Sequence, residues 1–432
     1  MFKNERGFTL VELMITVVVF LLAMVAGSRI FIALVTQFKQ QSKIAEADVE
    51  STLGLDTLRR DLAHLGYGLP WNYLNLIAGG YLEAAADNAA MGATWTTWLT
   101  ITSNDAPSAA PRAIVSGPGL GLNNSDVFAV KTINASMASG AQNPAQKSTY
   151  IYKPVMGAIP NNLNKWTSAT DNLVVTVNPP ADYVMIMDPG AGSTTPQNAL
   201  MTNVGGADTF AKAGTFYTTL ADTNFTFNGS ATPTPFEPPA TSQHTYLVYG
   251  LIPDDGTTKP RMPFNRADYY VKIPTVNTVA RCAPNTGILY KGVLNHNINN
   301  NPTPPSGQHT EYPLMDCVAY MQVDYWLDTL GNGAVTWPPV SDISGLTADV
   351  IRAQLKEVRV YILTHEGQRD PNFDFSQGGT VKNLYVMEAS GGNSRKLTFP
   401  PSPADLSTIV GADYKYYRWK VYTLAVQPTE LQ

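Results

Sequence analysis

The chain has 432 residues, of which 44% are hydrophobic and only 15% charged, with 33 glycines and 31 prolines. This apolar content supports a sizeable core and excludes global disorder, and the length allows two domains or one large domain with insertions. The net charge of −5 supplies no basic footprint, so no nucleic-acid partner is expected.

The first element is the apolar run GFTLVELMITVVVFLLAMVAG at residues 7–27, preceded by Lys3 and Arg6. Those two cations hold the short N-terminus in the cytoplasm and direct the remainder outward. A helix from Phe8 to Arg29 rises about 32 Å, close to the hydrocarbon thickness, and Arg29 then snorkels to the outer interface. A secretory signal is cut after its apolar region, but here the small residue, Gly7, comes before it. Cleavage after Gly7 leaves the helix on the mature protein. Glu12 inside that helix costs about 2.5–3.5 kcal/mol on insertion scales and so needs a partner. Cleavage creates one, the α-amino group of Phe8, one turn away or on a neighbouring subunit.

These residues carry a resemblance. RGFTLVELMITV is similar to the class III signal of type IV prepilins and pseudopilins. The resemblance implies that a prepilin peptidase cuts after Gly7 and N-methylates Phe8. It also implies that Glu12 pairs with the N-terminal amine of a neighbouring subunit during filament assembly. Major pilins often carry a helix-kinking proline where this chain has Arg29, a departure that points to a minor subunit.

Beyond Phe38 the sequence turns polar, but Ile44, Ala47, Leu55, Leu58, Leu62 and Leu65 keep one apolar stripe at helical spacing. Gly66, Gly68 and Pro70 form a stop signal. One helix from Phe8 to about Leu65 is therefore expected, roughly 87 Å long. Arg59, Arg60 and Asp61 read as a solvated helix face with local pairs. The segment LRRDLAHLGYG resembles the helix end of PilW-family minor pilins.

Strand-like runs follow, at 126–133, 148–153, 172–177, 182–188, 244–252, 268–273, 287–294, 319–328, 357–365 and 416–426. Several alternate apolar and polar residues, as strands with one buried face do. Residues 84–116, 189–239 and 295–305 read as long loops on this scaffold. The run ADYYVKI, GILYKGVL and VAYMQVDYWLD, with the last strands EVRVYILTH and YYRWKVYTLAV, extends the PilW resemblance to the C-terminus. The expected fold is α+β: a long N-terminal transmembrane and amphipathic pilin helix, then a large antiparallel β-rich globular region with long loops. Its parts are a leader (1–7), the helix (8–66, transmembrane over 8–35), a variable β-rich region (67–240) and a C-terminal β-rich region (241–432).

Cys282 and Cys317 stand 35 residues apart. In a cytosolic body they are ordinary thiols. In an exported one a disulfide is expected, contributing roughly 3–4 kcal/mol in the chain-entropy picture.

Little else points to chemistry. His64, His244, His296, His309 and His365 have no metal-ligand spacing, and no nucleophile elbow or phosphate loop occurs. No catalytic residue, cofactor or metal centre is expected, and the chain reads as a non-enzyme. DTLGNGAV at 328–335 holds the ingredients of a calcium loop around Asp328 but lacks the alternating carboxylates, which favours a hairpin turn. The resemblance implies a minor pilin of a type IV pilus that primes assembly and sits at the tip. The alternatives are a type II secretion pseudopilin at a pseudopilus tip, or a tip adhesin binding a surface ligand. Implied partners are the prepilin peptidase, other minor pilins, the major pilin and the inner-membrane assembly platform. The implied location is the inner membrane with a periplasmic body, and the extracellular pilus after assembly.

Overall fold

The computed structural model describes residues 9–69, 72–73, 82–85, 92–106, 109–132, 135, 183–188, 199–200, 218–219, 247–251, 264–275, 279–294, 307–376, 385–387, 394–396 and 406–431. Its first element is one unbroken helix, α1 (Leu10–Ala63), of 54 residues, about 80 Å long. It runs straight through Arg29 and stops slightly short of Leu65. The His64 amide caps it by donating to the Arg60 and Leu62 carbonyls. Gly66 (φ +77°) and Gly68 (φ +71°) then turn the chain through a conformation that favours glycine.

The body is built on β1 (Ile114–Gly117), β2 (Val127–Thr132), β3 (Asn265–Lys272), β4 (Gly287–Leu294), β5 (His309–Leu327), β6 (Leu355–Glu366) and β7 (Arg418–Val426). Each pairs antiparallel with the next in chain order, giving a seven-stranded meander interrupted by insertions. A second sheet joins Asn72–Tyr73, Tyr183–Asp188, Ala199–Leu200, Thr218–Thr219 and Leu247–Leu251, and a hairpin pairs Tyr385–Met387 with Ser394–Lys396. The fold is α+β, a long apolar helix followed by a large antiparallel sheet region. Residues on both sides of Ala240 contribute to the main sheet, because Thr132 of β2 is paired with Asn265 of β3.

The strands expected at 148–153 and 172–177 lie outside the described residues, as do the loop at 295–305 and most of 189–239. Two expectations need correction. Residues 84–116 are not simply a loop: they hold α2 (Gly92–Thr97), a π-helical turn (Trp98–Thr102) and β1. Only Trp95, Trp98 and Leu99 are buried in that helical stretch, so no apolar period announces it. In addition, β5 begins at His309 rather than 319. Pro313 and register shifts around Met315 and Val318 mask its first half.

One face of the sheet receives α1. Leu58, Leu62 and Leu65 share the main core with Met321, Val323, Val358, Val360 and Ile362. Alternation sends Tyr361 and Leu363 to a second cluster with α3 (Leu406–Val410), Tyr414, Tyr417 and Trp419. The polar alternate positions are not wet, contrary to the sequence pattern. Lys131, Arg266 and Asp268 are fully buried. Arg266 pairs with Asp268 (2.8 Å) and Glu83 (3.0 Å), and Lys131 with Glu83 (2.9 Å) and Asp105. Arg112 pairs with Asp105 at 2.6 Å, and His309 Nε2 lies 2.7 Å from Asp268. Buried charges persist only when paired in this way. Burial raises the Asp268 pKa, but Arg266 and His309 outweigh it and hold the carboxyl at about 2. Carboxylates and cations from distant segments thus tie Glu83, Asp105 and Arg112 to β2 and β3.

Candidate functional site

At its free end, α1 is closed by a capping box. Thr9 Oγ1 accepts from the Glu12 amide at 3.3 Å, while Glu12 Oε2 accepts from the Thr9 amide and hydroxyl at 3.0 Å each. The carboxylate sits in the first helical turn, where the macrodipole favours negative charge. Gly7 and Phe8 lie outside the described residues. From Leu10 to Phe38 the large apolar side chains, among them Phe20, Leu22 and Phe31, are exposed, apart from the half-buried Val35. By length and composition α1 is able to cross a membrane.

The other end is fastened to the body. Gly54 lies close against β5: a Cβ there would stand 2.1 Å from the Leu314 carbonyl oxygen. Asp61, expected on a solvated face, is buried and accepts from Tyr269 Oη at 2.5 Å and from Lys291 Nζ. Its neighbours Arg59 and Arg60 do face solvent. Asp61 differs because its position in the stripe points at the sheet, where Lys291 and Tyr269 are cross-strand partners. Burial, and then the Asp61 charge, push the Tyr269 hydroxyl well above its ordinary pKa. Lower on the helix, Glu50 meets Arg281 at 2.9 Å and Asp48 meets Lys420 at 3.2 Å.

Cys282 and Cys317 are joined by a disulfide, with Cα atoms 4.9 Å apart. The two sulfurs and a His365 nitrogen lie within 4.8 Å of one another. The sulfurs are bonded to each other, however, and His365 Nε2 accepts from the Ala283 amide at 2.8 Å, so structural bonds occupy this ligand set. Burial lowers the His365 pKa to about 4, and the Arg281 charge acts in the same direction. Asp328 turns both oxygens onto its own loop, accepting from Asn332 N–H at 3.2 Å and Gly333 N–H at 2.7 Å. Burial opposes its ionisation, but the amides of Gly333, Asn332 and Gly331 prevail and hold the pKa below the ordinary value. This is the geometry of a turn.

Sequence reasoning singled out Glu12, whose partner here is Thr9 of its own helix, and the cysteine pair, which is bonded, but it missed Glu50, Asp61, Arg281 and Lys291 as parts of the helix–body joint. The apolar stripe gave the only available signal, because it fixes which helix face meets the sheet.

The family model for the prokaryotic N-terminal methylation motif matches residues 2–28. No curated protein and no solved structure matches the chain. The motif, carried on an exposed apolar helix, supports a type IV pilin-like or pseudopilin-like protein and fits membrane anchoring through α1. The motif implies processing by a prepilin peptidase and pilus-assembly partners in general.

Proposed function

We propose that the protein is a minor pilin of the PilW type, processed after Gly7, methylated at Phe8, and acting in the priming of assembly and at the pilus tip. The observation that carries this reading is the pairing of a prepilin motif with a large meander sheet on one continuous helix. A body this large would clash if it recurred at every position of a tightly packed fibre. At a tip, size is unconstrained on one side. The function is structural rather than enzymatic: the apolar half of α1 packs among neighbouring helices, and Glu12 exchanges Thr9 for the amine of another subunit. Its partners are other minor pilins, the major pilin and the inner-membrane platform. The body lies in the periplasm before assembly and outside the cell after it.

The test is mass spectrometry of sheared surface fibres beside the inner-membrane fraction, seeking a peptide that begins at methylated Phe8. Trace amounts in fibres, far below the major subunit, are the expected result. Restriction of that peptide to the membrane under pilus-forming conditions would favour a secretion pseudopilin instead. Glu12→Ala should leave cleavage intact and abolish incorporation; normal recruitment would count against the assembly role.

One surface bears on an adhesive reading. The β5 end at Leu327 pairs with the start of β6, at the opposite end of the strands from Gly367, which follows β6 beside Ile44 of α1. The loop beyond it exposes Leu330, Val335 and Trp337. Deleting residues 329–336 should lower attachment at constant pilus number if that distal loop contacts a surface ligand.

A further inference from the structure

Three consecutive residues between β3 and β4 hold three different neighbours. Cys282 is bonded to Cys317. The Ala283 amide donates to His365 Nε2 at 2.8 Å. Arg281 donates from Nη2 to Asp316 and to Glu50, at 2.9 Å in each case. Asp316 directly precedes Cys317, just as Arg281 directly precedes Cys282. The cross-link therefore brings together a cation and a carboxylate adjacent in sequence to its own two ends, and the third member, Glu50, belongs to α1.

Elsewhere this loop is tied by short backbone turns, Cys282 N–H to the Val279 carbonyl and Thr286 N–H to the Ala283 carbonyl. An arginine on such a loop loses much rotamer freedom when it holds a partner. Anchoring its backbone beforehand removes part of that cost. Arg281 and Asp316 are largely shielded, whereas Glu50 is partly exposed. Glu50 is thus the outer, more exposed partner of a shielded pair. It lies one helical turn before Gly54, where α1 packs close against Leu314 of β5.

We propose that the Cys282–Cys317 cross-link sets the pose of α1 on the body, by holding Arg281 beside Asp316 where its guanidinium captures Glu50. Helix and body then form one unit in the oxidised chain, and the lower joint loosens when the bond is opened. Opening takes a dithiol reductant. The Cys282–Cys317 S–S bond breaks, the two cysteine sulfurs take the reductant's two thiol protons, and the reductant's sulfurs pair as its own disulfide. Arg281 is a positioning residue in this device. The consequence for assembly rests on the pilin reading, because a helix must be held in a fixed pose to deliver its body to a fibre end.

The experiment uses the full chain in detergent micelles and follows amide hydrogen exchange, with thiol state checked by intact mass. Complete reduction should speed exchange of residues 46–56 about tenfold while β5 and β6 keep their protection. Arg281→Glu in the oxidised chain should reproduce that effect, and Glu50→Arg combined with Arg281→Glu should reverse it. Unchanged exchange after complete reduction would overturn the proposal. So would failure of the charge swap to restore protection, or loss of β5 and β6 protection in step with α1, which would make the bond a clamp on the sheet. Exchange is read on the isolated chain, so a chain found outside any fibre sinks the pilus reading and leaves this inference standing.

Discussion

Glu12 and Asp61 are both carboxylates on α1, one near each end, and they find partners at very different range. Glu12 is satisfied by the amide and hydroxyl of Thr9, three residues away. Asp61 is satisfied by Tyr269 and Lys291, 208 and 230 residues away. Their apolar neighbours divide in the same way. Leu10, Leu13 and Ile15 are exposed, whereas Leu58, Leu62 and Leu65 are completely buried. The free half keeps its backbone bonds and its one carboxylate within the helix, as a segment surrounded by lipid must. The docked half takes its order from the sheet. Among the described residues nothing covers the free half, while the docked half is ordinary tertiary packing.

The largest effect should come from breaking the docked carboxylate. Asp61→Ala strands Lys291 in a nearly closed site and should cost about 3–5 kcal/mol, read as a lower denaturant midpoint by tryptophan fluorescence. Replacing both partners, Asp61→Leu with Lys291→Met, should recover most of the loss, since an apolar pair of similar size needs no desolvation. A double variant as unstable as the single one would show that Asp61 acts through Tyr269 instead.

Acidification probes the same joint from its lower edge. His365 has its pKa depressed to about 4 by burial, from an ordinary 6.5. A histidine favoured in its neutral form when folded contributes stability that is complete above pH 6.5 and is lost as the pH falls toward 4, roughly 3 kcal/mol in all. Asp268, held at about 2, loses its contribution only as the pH falls from 3.8 toward 2, so the windows separate. Asp316 has the opposite sign: burial, then Glu50, raise its pKa, so its protonation favours the folded chain. Urea unfolding at pH 7 and pH 4.5 should show the fall in the native chain and a smaller one in His365→Gln.

Gly54→Ala tests steric rather than electrostatic docking. The added methyl meets a strand carbonyl rather than a yielding side chain tip, so α1 or β5 must shift, at about 1–3 kcal/mol. The same substitution at Gly27, where nothing lies within 4 Å, should leave the body's unfolding midpoint unchanged.

Much of this division was legible in the sequence. The apolar run, the position of Gly7 ahead of it and the lone Glu12 define the free half, because a membrane segment must be continuous and self-satisfied. The strands at 287–294 and 357–365 were legible from local composition and closely match β4 and β6. What could not be read was long-range polarity. Lys131, Arg266, Asp268 and Asp61 look like surface residues one at a time, and only the folded sheet makes them each other's partners. The same applies to α2, whose one buried side chain, Trp95, packs against residues far along the chain, Tyr270 and His309.

The smallest stability effect should come at the free end, where the comparison is sharpest. Thr9→Val removes the hydroxyl on which Glu12 and its amide both depend, and loss of an N-cap costs about 1 kcal/mol of local helix stability. None of it should reach the body, since the first residues of α1 are exposed rather than packed on the sheet. Exchange should rise in the first turn of α1 while the denaturant midpoint stays fixed. A shift of that midpoint would mean the two halves of α1 are coupled along the helix, and that the free end feels the sheet at a distance. If they are independent, Thr9 governs only how readily Glu12 leaves its own cap for another subunit's amine, so Thr9→Val should change incorporation without changing folding.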